Sequence, residues 1–379
     1  MLEPQPILAV LRRERPVAEI ILPNGVPAFL VTRYRDVCTV LEDRRFSRTA
    51  LSKAGAGQFV AYLPSEAVDP ESADHSMPHR VVNRWFTPQG VERLRRRTQQ
   101  VTDQLLLSIE SCTPPIDLVA ALANALPMTI IGELVGIPEA DRQWVRERAP
   151  LVAVDSPTDE SRMAEAAVFR YFEEQFEQRR VIRTDDVLGA LLEAHEDNPG
   201  TLPIQKLAPL AMRLCLPGLH SVAATLGKAV PVLLRQPEIY AALRCRPELV
   251  EPVVEELLRL APPVSTSLPR QTLTDVEISG VRIPGGSIVV ASLESANFDP
   301  EQYSHPEFIV PERGDRRHTT FSLGSNYCFG AALSRMELQV VIGTLARRMP
   351  NLRLAVTEDE LHFRAGVVAP DVLNLPVLW

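Results

Sequence analysis

Ser322-Leu-Gly-Ser-Asn-Tyr-Cys328-Phe-Gly-Ala-Ala-Leu-Ser-Arg-Met-Glu-Leu338 decides how this chain of 379 residues is read. It offers one cysteine on a glycine-punctuated loop that opens into an amphipathic helix. A thiol at the start of a helix meets the positive end of the helix dipole and its N–H groups, which favours a thiolate soft enough to hold iron. Gly324 and Gly330 let the backbone turn tightly and come close to a flat group. After the cysteine, Leu333, Met336 and Leu338 give the helix an apolar face, with Arg335 and Glu337 expected off it. A haem held by such a thiolate receives electron density that favours O–O cleavage. Cys38, Cys112, Cys215 and Cys245 lack this setting and are expected to be buried, inert thiols.

The spacing Phe321-x-x-Gly324-x-x-x-Cys328-x-Gly330 resembles the haem-binding loop of the cytochrome P-450 family. Glu256-Leu-Leu-Arg259 matches that family's Glu-x-x-Arg. The same spacing recurs at Glu42 and Arg45, Glu92 and Arg95, Glu139 and Arg142, and Glu177 and Arg180, where a solvated helical pair is the plainer reading. Order singles out Glu256, because Pro269-Arg270, Ala296-Asn-Phe-Asp-Pro300, Arg313 and Cys328 follow it in the family's sequence. Further matches run from Val31-Thr-Arg-Tyr34 through Gly132-Glu-Leu-Val-Gly-Ile-Pro138 to Leu375-Pro-Val-Leu-Trp379, so the likeness covers nearly the whole chain.

That resemblance implies a cytochrome P-450 fold, mainly α with a small β region, over a single domain 1–379. It implies haem b (iron protoporphyrin IX) with Cys328 on the iron and Phe321 and Gly330 beside it. Glu256, Arg259 and Arg313 would form a buried ion network, costly to break rather than strongly stabilising, that fixes the segment before the cysteine. Arg270 and His75 match propionate-binding positions. His79, followed by Arg80, stands where a second basic residue is common, and Asn326 where the loop usually carries histidine. Asn326 can donate a hydrogen bond but brings no charge, so the propionates are expected to lean on Arg270.

Composition agrees with one large soluble domain: 45% hydrophobic and 23% charged residues can bury a sizeable core. Apolar runs such as Leu118 to Leu126 fall short of the roughly 20 residues of a membrane helix, and no signal peptide is read before Val31. A cytoplasmic protein without a membrane anchor is expected. Five cysteines at irregular spacings argue against a disulfide framework. A net charge of −8 argues against nucleic-acid binding. Locally, Arg80, Arg84, Arg93, Arg95, Arg96 and Arg97 form a basic stretch, either a solvated helix face or, by the resemblance, the docking surface for an acidic ferredoxin. Among the 40 basic residues only Lys53, Lys206 and Lys228 are lysines, a bias that suggests a GC-rich bacterial genome.

Helical periodicity is read at Val91–Ile109, Asp117–Leu134, Ala164–Arg180, Ile204–Leu234, Leu249–Leu260 and Ala331–Arg348, and short alternating segments at Val17–Leu22, Ala28–Val31, Val276–Ile283 and Ser287–Ser292. In the fourth helix, Leu216-Pro-Gly-Leu-His-Ser221 replaces the Ala-Gly-x-Asp/Glu-Thr of typical members, whose acid and alcohol relay protons to bound dioxygen. His220 and Ser221 stand there with Pro217 and Gly218. Histidine can relay a proton and serine can bond the distal oxygen, although His220 can equally line the pocket or satisfy a neighbouring carbonyl. Pro217 lacks the N–H that would reach the carbonyl of Arg213, so a kink or opening is expected. By the resemblance, Phe59, Tyr62, Arg213, Val264, Ser267 and Val367 line a pocket for a small-molecule or peptide substrate. Three functions follow: oxygen insertion into an intermediate of secondary metabolism with electrons from a ferredoxin-type donor, oxidative aromatic cross-linking of a peptide or polyphenol without oxygen insertion, and haem binding without turnover.

Overall fold

The computed structural model describes residues 2, 4–53, 76–152, 158–314, 317–367 and 369–379. In chain order its elements are α1 (Pro6–Glu14), β1 (Val17–Ile21), β2 (Pro27–Val31), α2 (Tyr34–Glu42), β3 (Phe46–Ser47), α3 (Arg48–Lys53), α4 (Ser76–Phe86), α5 (Pro88–Glu110), β4 (Ile116–Asp117), α6 (Ala125–Val135), α7 (Glu139–Val152), α8 (Asp159–Val181), α9 (Val187–Asp197) and α10 (Leu207–Leu234). They continue through α11 (Pro237–Cys245), α12 (Val250–Leu260), β5 (Arg270–Thr272), β6 (Val276–Ile278), β7 (Val281–Ile283), β8 (Ile288–Ala291), α13 (Leu293–Asn297), α14 (Ala331–Arg348), β9 (Arg353–Leu354) and β10 (Pro376–Leu378). The result is mainly α with small sheets. Two compact units form, one from Met1–Phe59 with Lys228–Cys328, the other from Val60–Gly227 with Phe329–Trp379.

The first unit is built on a five-stranded sheet of order β1-β2-β8-β5-β3, in which β2 and β8 run parallel with Phe29 opposite Val289. Ile288-Val-Val-Ala291 is buried along its whole length, as a continuous apolar strand in the middle of a sheet should be. Val31, Val37, Val40, Leu41, Phe46, Val289 and Ala296 close the core between this sheet, α2 and α13. The alternating stretch Val276–Ile283 resolves into a hairpin, β6 and β7, turned by Ser279 and Gly280 with φ of 46° and 77°, the positive pair a two-residue loop of this kind requires.

The second unit centres on α5 and α14. Gln99 Nε2 donates to Thr344 Oγ1 at 3.0 Å and Arg95 Nη2 to Gln339 Oε1 at 2.9 Å across their contact. Thr87 caps α5, its Oγ1 accepting from Gly90 N at 3.1 Å ahead of Pro88 at the first helical position. The expected helix Asp117–Leu134 begins later. Ile116 and Asp117 pair with β10, Asp117 Oδ1 accepts from the N–H groups of Val119 and Leu375, and a π-helical turn over Val119–Ala123 leads into α6.

Several expectations are corrected. Helix α10 is continuous through Pro217 rather than opened there. The stretch Ile204–Leu234 is long and apolar enough to cross a membrane, its apolar 18-residue segment having a mean hydropathy of 1.3, but 67% of that segment is buried inside the fold, as in a core helix. Glu337 lies inside rather than off the apolar face of α14. Met336, Leu338, Val340 and Val341 around it are also buried, so this helix has little solvent face at its centre. Of the four cysteines expected to be buried, Cys215 is, Cys38 is half-buried, and Cys112 and Cys245 are exposed.

Candidate functional site

The cysteine loop is built by its own backbone. Cys328 N donates to Phe321 O at 2.8 Å, Ser322 N to Thr319 O at 2.8 Å and Tyr327 N to Gly324 O at 3.2 Å. Ser322 and Gly324 turn the chain with φ of 61° and 65°. At Gly324 an added Cβ would sit 3.1 Å from Leu41 O and 3.3 Å from Glu42 Cα, so both the turn and the close approach to α2 require glycine. At Gly330, the residue before α14, an added Cβ would meet nothing within 4 Å. The glycine there is not demanded by the chain's own packing, and the open side suits a flat partner. Phe321 is buried with its ring 5.6 Å from that of His318, and Cys328 presents an exposed thiol at the loop's end.

Arg270 opens β5 and is 3% exposed, with Nη1 donating to Phe46 O at 3.4 Å. A guanidinium so deep favours an anionic acceptor, which a carboxylate-bearing cofactor supplies. Asn326 makes a contact that sequence reasoning missed: its Oδ1 accepts from Arg48 Nη1 at 3.0 Å, while its Nδ2 donates to Ser325 Oγ at 3.3 Å. Arg48 directly follows β3, which pairs with β5 through Phe46 and Thr272. The sheet therefore carries a second guanidinium to the loop, and only a basic residue just after a buried strand hinted at it. The exposed thiol and the buried guanidinium, both in the first unit, fit a haem with propionates.

Behind the loop the expected ion network is formed. Arg259 donates from Nε and Nη2 to the two oxygens of Glu256, both at 2.9 Å, and Arg313 Nε lies 3.1 Å from each oxygen. Arg259 also donates to the carbonyls of Asn297, Pro306 and Phe308, and Arg313 to that of Ser304, which fastens the segment after α13. Burial alone would raise the Glu256 carboxyl pKa. The hydrogen bond and charge of Arg259, the Val310 N–H and the charge of Arg313 overcome it and hold the group below the usual carboxylate range.

In the other unit, His220 is buried on α10 with Nε2 2.7 Å from Ala369 O and 3.9 Å from Asp371 Oδ1. Ser221 Oγ donates to Pro217 O at 2.6 Å, the back-bond that serine makes inside helices. Gly218 has room: an added Cβ would meet only Ile131, at 3.5 Å. Arg213 is half-buried on the same helix and Val367 is buried. Of the other pocket candidates, Val264 packs against the sheet core, and Ser267 exchanges bonds with Ala291, its N donating to Ala291 O at 2.8 Å and its Oγ accepting from Ala291 N at 3.1 Å. His75, Phe59 and Tyr62 lie outside the described residues, and of His79, within α4, only the backbone is described.

The basic stretch is partly engaged. Arg84 pairs with Asp185 at 3.3 Å, Arg95 with Glu92 at 2.7 Å and Arg97 with Glu133 at 2.7 Å, while Arg93 and Arg96 are exposed on α5.

The family model described as Cytochrome P450 matches residues 246–360, the part holding the Glu256 network and the cysteine loop. Nocardicin C N-oxygenase of Nocardia uniformis subsp. tsuyamanensis is 36% identical over 386 residues, spanning 100% of this chain and 96% of that protein. Mycinamicin IV hydroxylase/epoxidase of Micromonospora griseorubida is 34% identical over 97% of this chain and 94% of its own length. Among solved structures, cytochrome P450mel 107F1 "with biaryl coupling reactivity" superimposes with a TM-score of 0.89 at 36% identity, covering 100% of this chain and 97% of that one.

Proposed function

Because the chain belongs to the cytochrome P450 family and is a monooxygenase-type oxidoreductase, we propose that it tailors an intermediate of bacterial secondary metabolism by inserting one oxygen atom from O2 into a C–H bond or alkene. The observation that carries this reading is Cys328, an exposed thiol on a loop closed by its own amide onto Phe321. A thiolate-held haem, in our reading haem b, supplies the O2 activation when bound. Cys328 would hold the iron, with Phe321 and Gly330 beside it, and Arg270, with Arg48 through Asn326, would meet the propionates. His75 and His79 keep the propionate roles that resemblance suggests. Ser221 is assigned to proton handling: it gives its own proton to Pro217 O and keeps lone pairs that can accept from water. Pro217 supplies that carbonyl and Gly218 leaves space beside it. Val264, Ser267, Val367, Arg213, Phe59 and Tyr62 remain the proposed pocket lining for a small-molecule or peptide substrate. Electrons come from a ferredoxin-type donor, and the protein works as one catalytic domain, 1–379, in the cytoplasm.

A second reading, oxidative aromatic coupling without oxygen insertion, is supported by the likeness to a structure with biaryl coupling reactivity and by the replacement of the usual acid by His220. The family's activity leaves no support for haem binding without turnover. High-resolution mass spectrometry on extracts of producing cells with and without the gene separates the two catalytic readings. Gain of one oxygen is expected, and loss of two hydrogens alone would replace insertion by coupling. Cys328→Ser should abolish the thiolate-type spectrum of the reduced carbon monoxide complex; its survival would remove Cys328 from the iron.

A further inference from the structure

We infer that His220 is a positioning residue, which clamps a hairpin that walls the substrate pocket and does not itself deliver protons. The described parts of the hairpin are residues 362–367 and 369–373. Phe363 and Val372 bridge antiparallel, Leu373 N donates to His362 O at 2.8 Å and Arg364 N to Asp371 O at 2.9 Å, and Arg364 Nε reaches Asp371 Oδ1 at 2.9 Å. Near its tip Gly366 turns with φ of 71°, and Val367 and Ala369 are 6% and 5% exposed.

His220 reaches this tip from α10. Its partner is the carbonyl of Ala369, 2.7 Å away, and a carbonyl only accepts, so Nε2 carries the proton. A proton given to an amide carbonyl has nowhere useful to go near neutral pH, so this contact holds and does not relay. Asp371 Oδ1, 3.9 Å from the same nitrogen, is already engaged by Arg364 at the base of the turn. A cavity of about 240 Å³ borders the contact, lined in part by Met128, Leu151, Leu219, His220, Arg364 and Asp371. Where Arg364 and Asp371 face this space the hairpin lacks close packing, so fewer dispersion contacts back up the hydrogen bond. The inference rests on the proposed function in one respect, that Val367 faces substrate.

Two variants of the holoenzyme test it, His220→Ala and His220→Gln. Glutamine places an amide N–H where the imidazole N–H stood but cannot titrate, so it rescues a clamp and not a relay. In His220→Ala, hydrogen exchange of the peptide spanning Leu361–Leu373 should rise about tenfold, the change expected from losing a buried hydrogen bond worth roughly 1.4 kcal/mol. The dissociation constant of 4-phenylimidazole, a haem-directed aromatic probe, should rise with it. His220→Gln should return both toward wild type, with the carbon monoxide spectrum unchanged in either variant. Unaltered exchange in His220→Ala, or His220→Gln as loose as His220→Ala, would overturn the clamp. Raised exchange with probe affinity constant in all three proteins would overturn the positioning of substrate, separating the failure of Val367 as a pocket wall from failure of the clamp.

Discussion

Glu337 sits at the centre of α14 with its carboxyl shut away from water. It follows Met336 in an amphipathic pattern and by spacing alone belongs off the apolar face, yet it is 1% exposed and its Oε1 is buried without a hydrogen-bond partner. Helical periodicity reports one face, and α14 is buried around its centre by neighbours far away in sequence that no local pattern reveals. Burial pushes the Glu337 carboxyl pKa up to about 8. The unfolded chain releases this proton near pH 4.5, the ordinary value, whereas the folded chain keeps it to about pH 8. Between those limits the folded state binds more protons, so stability falls as pH rises through the window and levels off above it. Glu337→Gln should remove that slope, with a gain in stability near pH 8 that exceeds the gain near pH 5 in urea unfolding. Equal gains at both pH values would show that the carboxyl already ionises in the fold.

At the level of elements, Glu256-Leu-Leu-Arg259 shows how far local pattern goes. Four other pairs share its spacing, and Arg95–Glu92 and Arg180–Glu177 are exposed helical ion pairs as expected. Chain order marked Glu256 out, and the structure adds what order could not: Arg259 and Arg313 converge on one carboxylate and also fasten five carbonyls between Asn297 and Phe308. In α10 the missing N–H of Pro217 allows a kink or an opening, and the helix stays unbroken there, because a long core helix is fixed by its buried flanks. Removing Arg313 leaves Glu256 buried with less compensation, so Arg313→Ala should cost about 3–5 kcal/mol. The Glu256 carboxyl is held below its ordinary range, so the stability it contributes is present above that range and is lost as pH falls through the depressed value. In Arg313→Ala one cause of the depression is gone, and acid unfolding followed by far-ultraviolet circular dichroism should begin at higher pH than in the wild type. An unchanged acid midpoint would place the network's stabilisation elsewhere.

For the molecule as a whole, formal charge and local charge point in opposite directions. A net charge of −8 sets up repulsion toward an acidic protein, so a ferredoxin-type donor needs a local positive surface to approach at a useful rate. The sequence marks a basic stretch without telling which of its arginines are spent internally; the structure ties Arg95 to Glu92 and Gln339 and Arg97 to Glu133. Arg93 and Arg96 are the exposed members on α5 left to steer a partner. Rim charges act mainly on association rate and are screened by salt, with a Debye length of about 10 Å at 0.1 M. Arg93→Glu combined with Arg96→Glu should therefore slow reduction by an acidic ferredoxin about tenfold at low ionic strength, and the difference should shrink as salt is added. Reduction by dithionite, a small chemical donor, should give the same carbon monoxide complex in both proteins, separating docking from damage to the cysteine loop. Stopped-flow formation of that complex measures both rates. If the double variant accepts ferredoxin electrons as fast as the wild type at low salt, the donor approaches another face and the arginines of α5 serve only to solvate the helix.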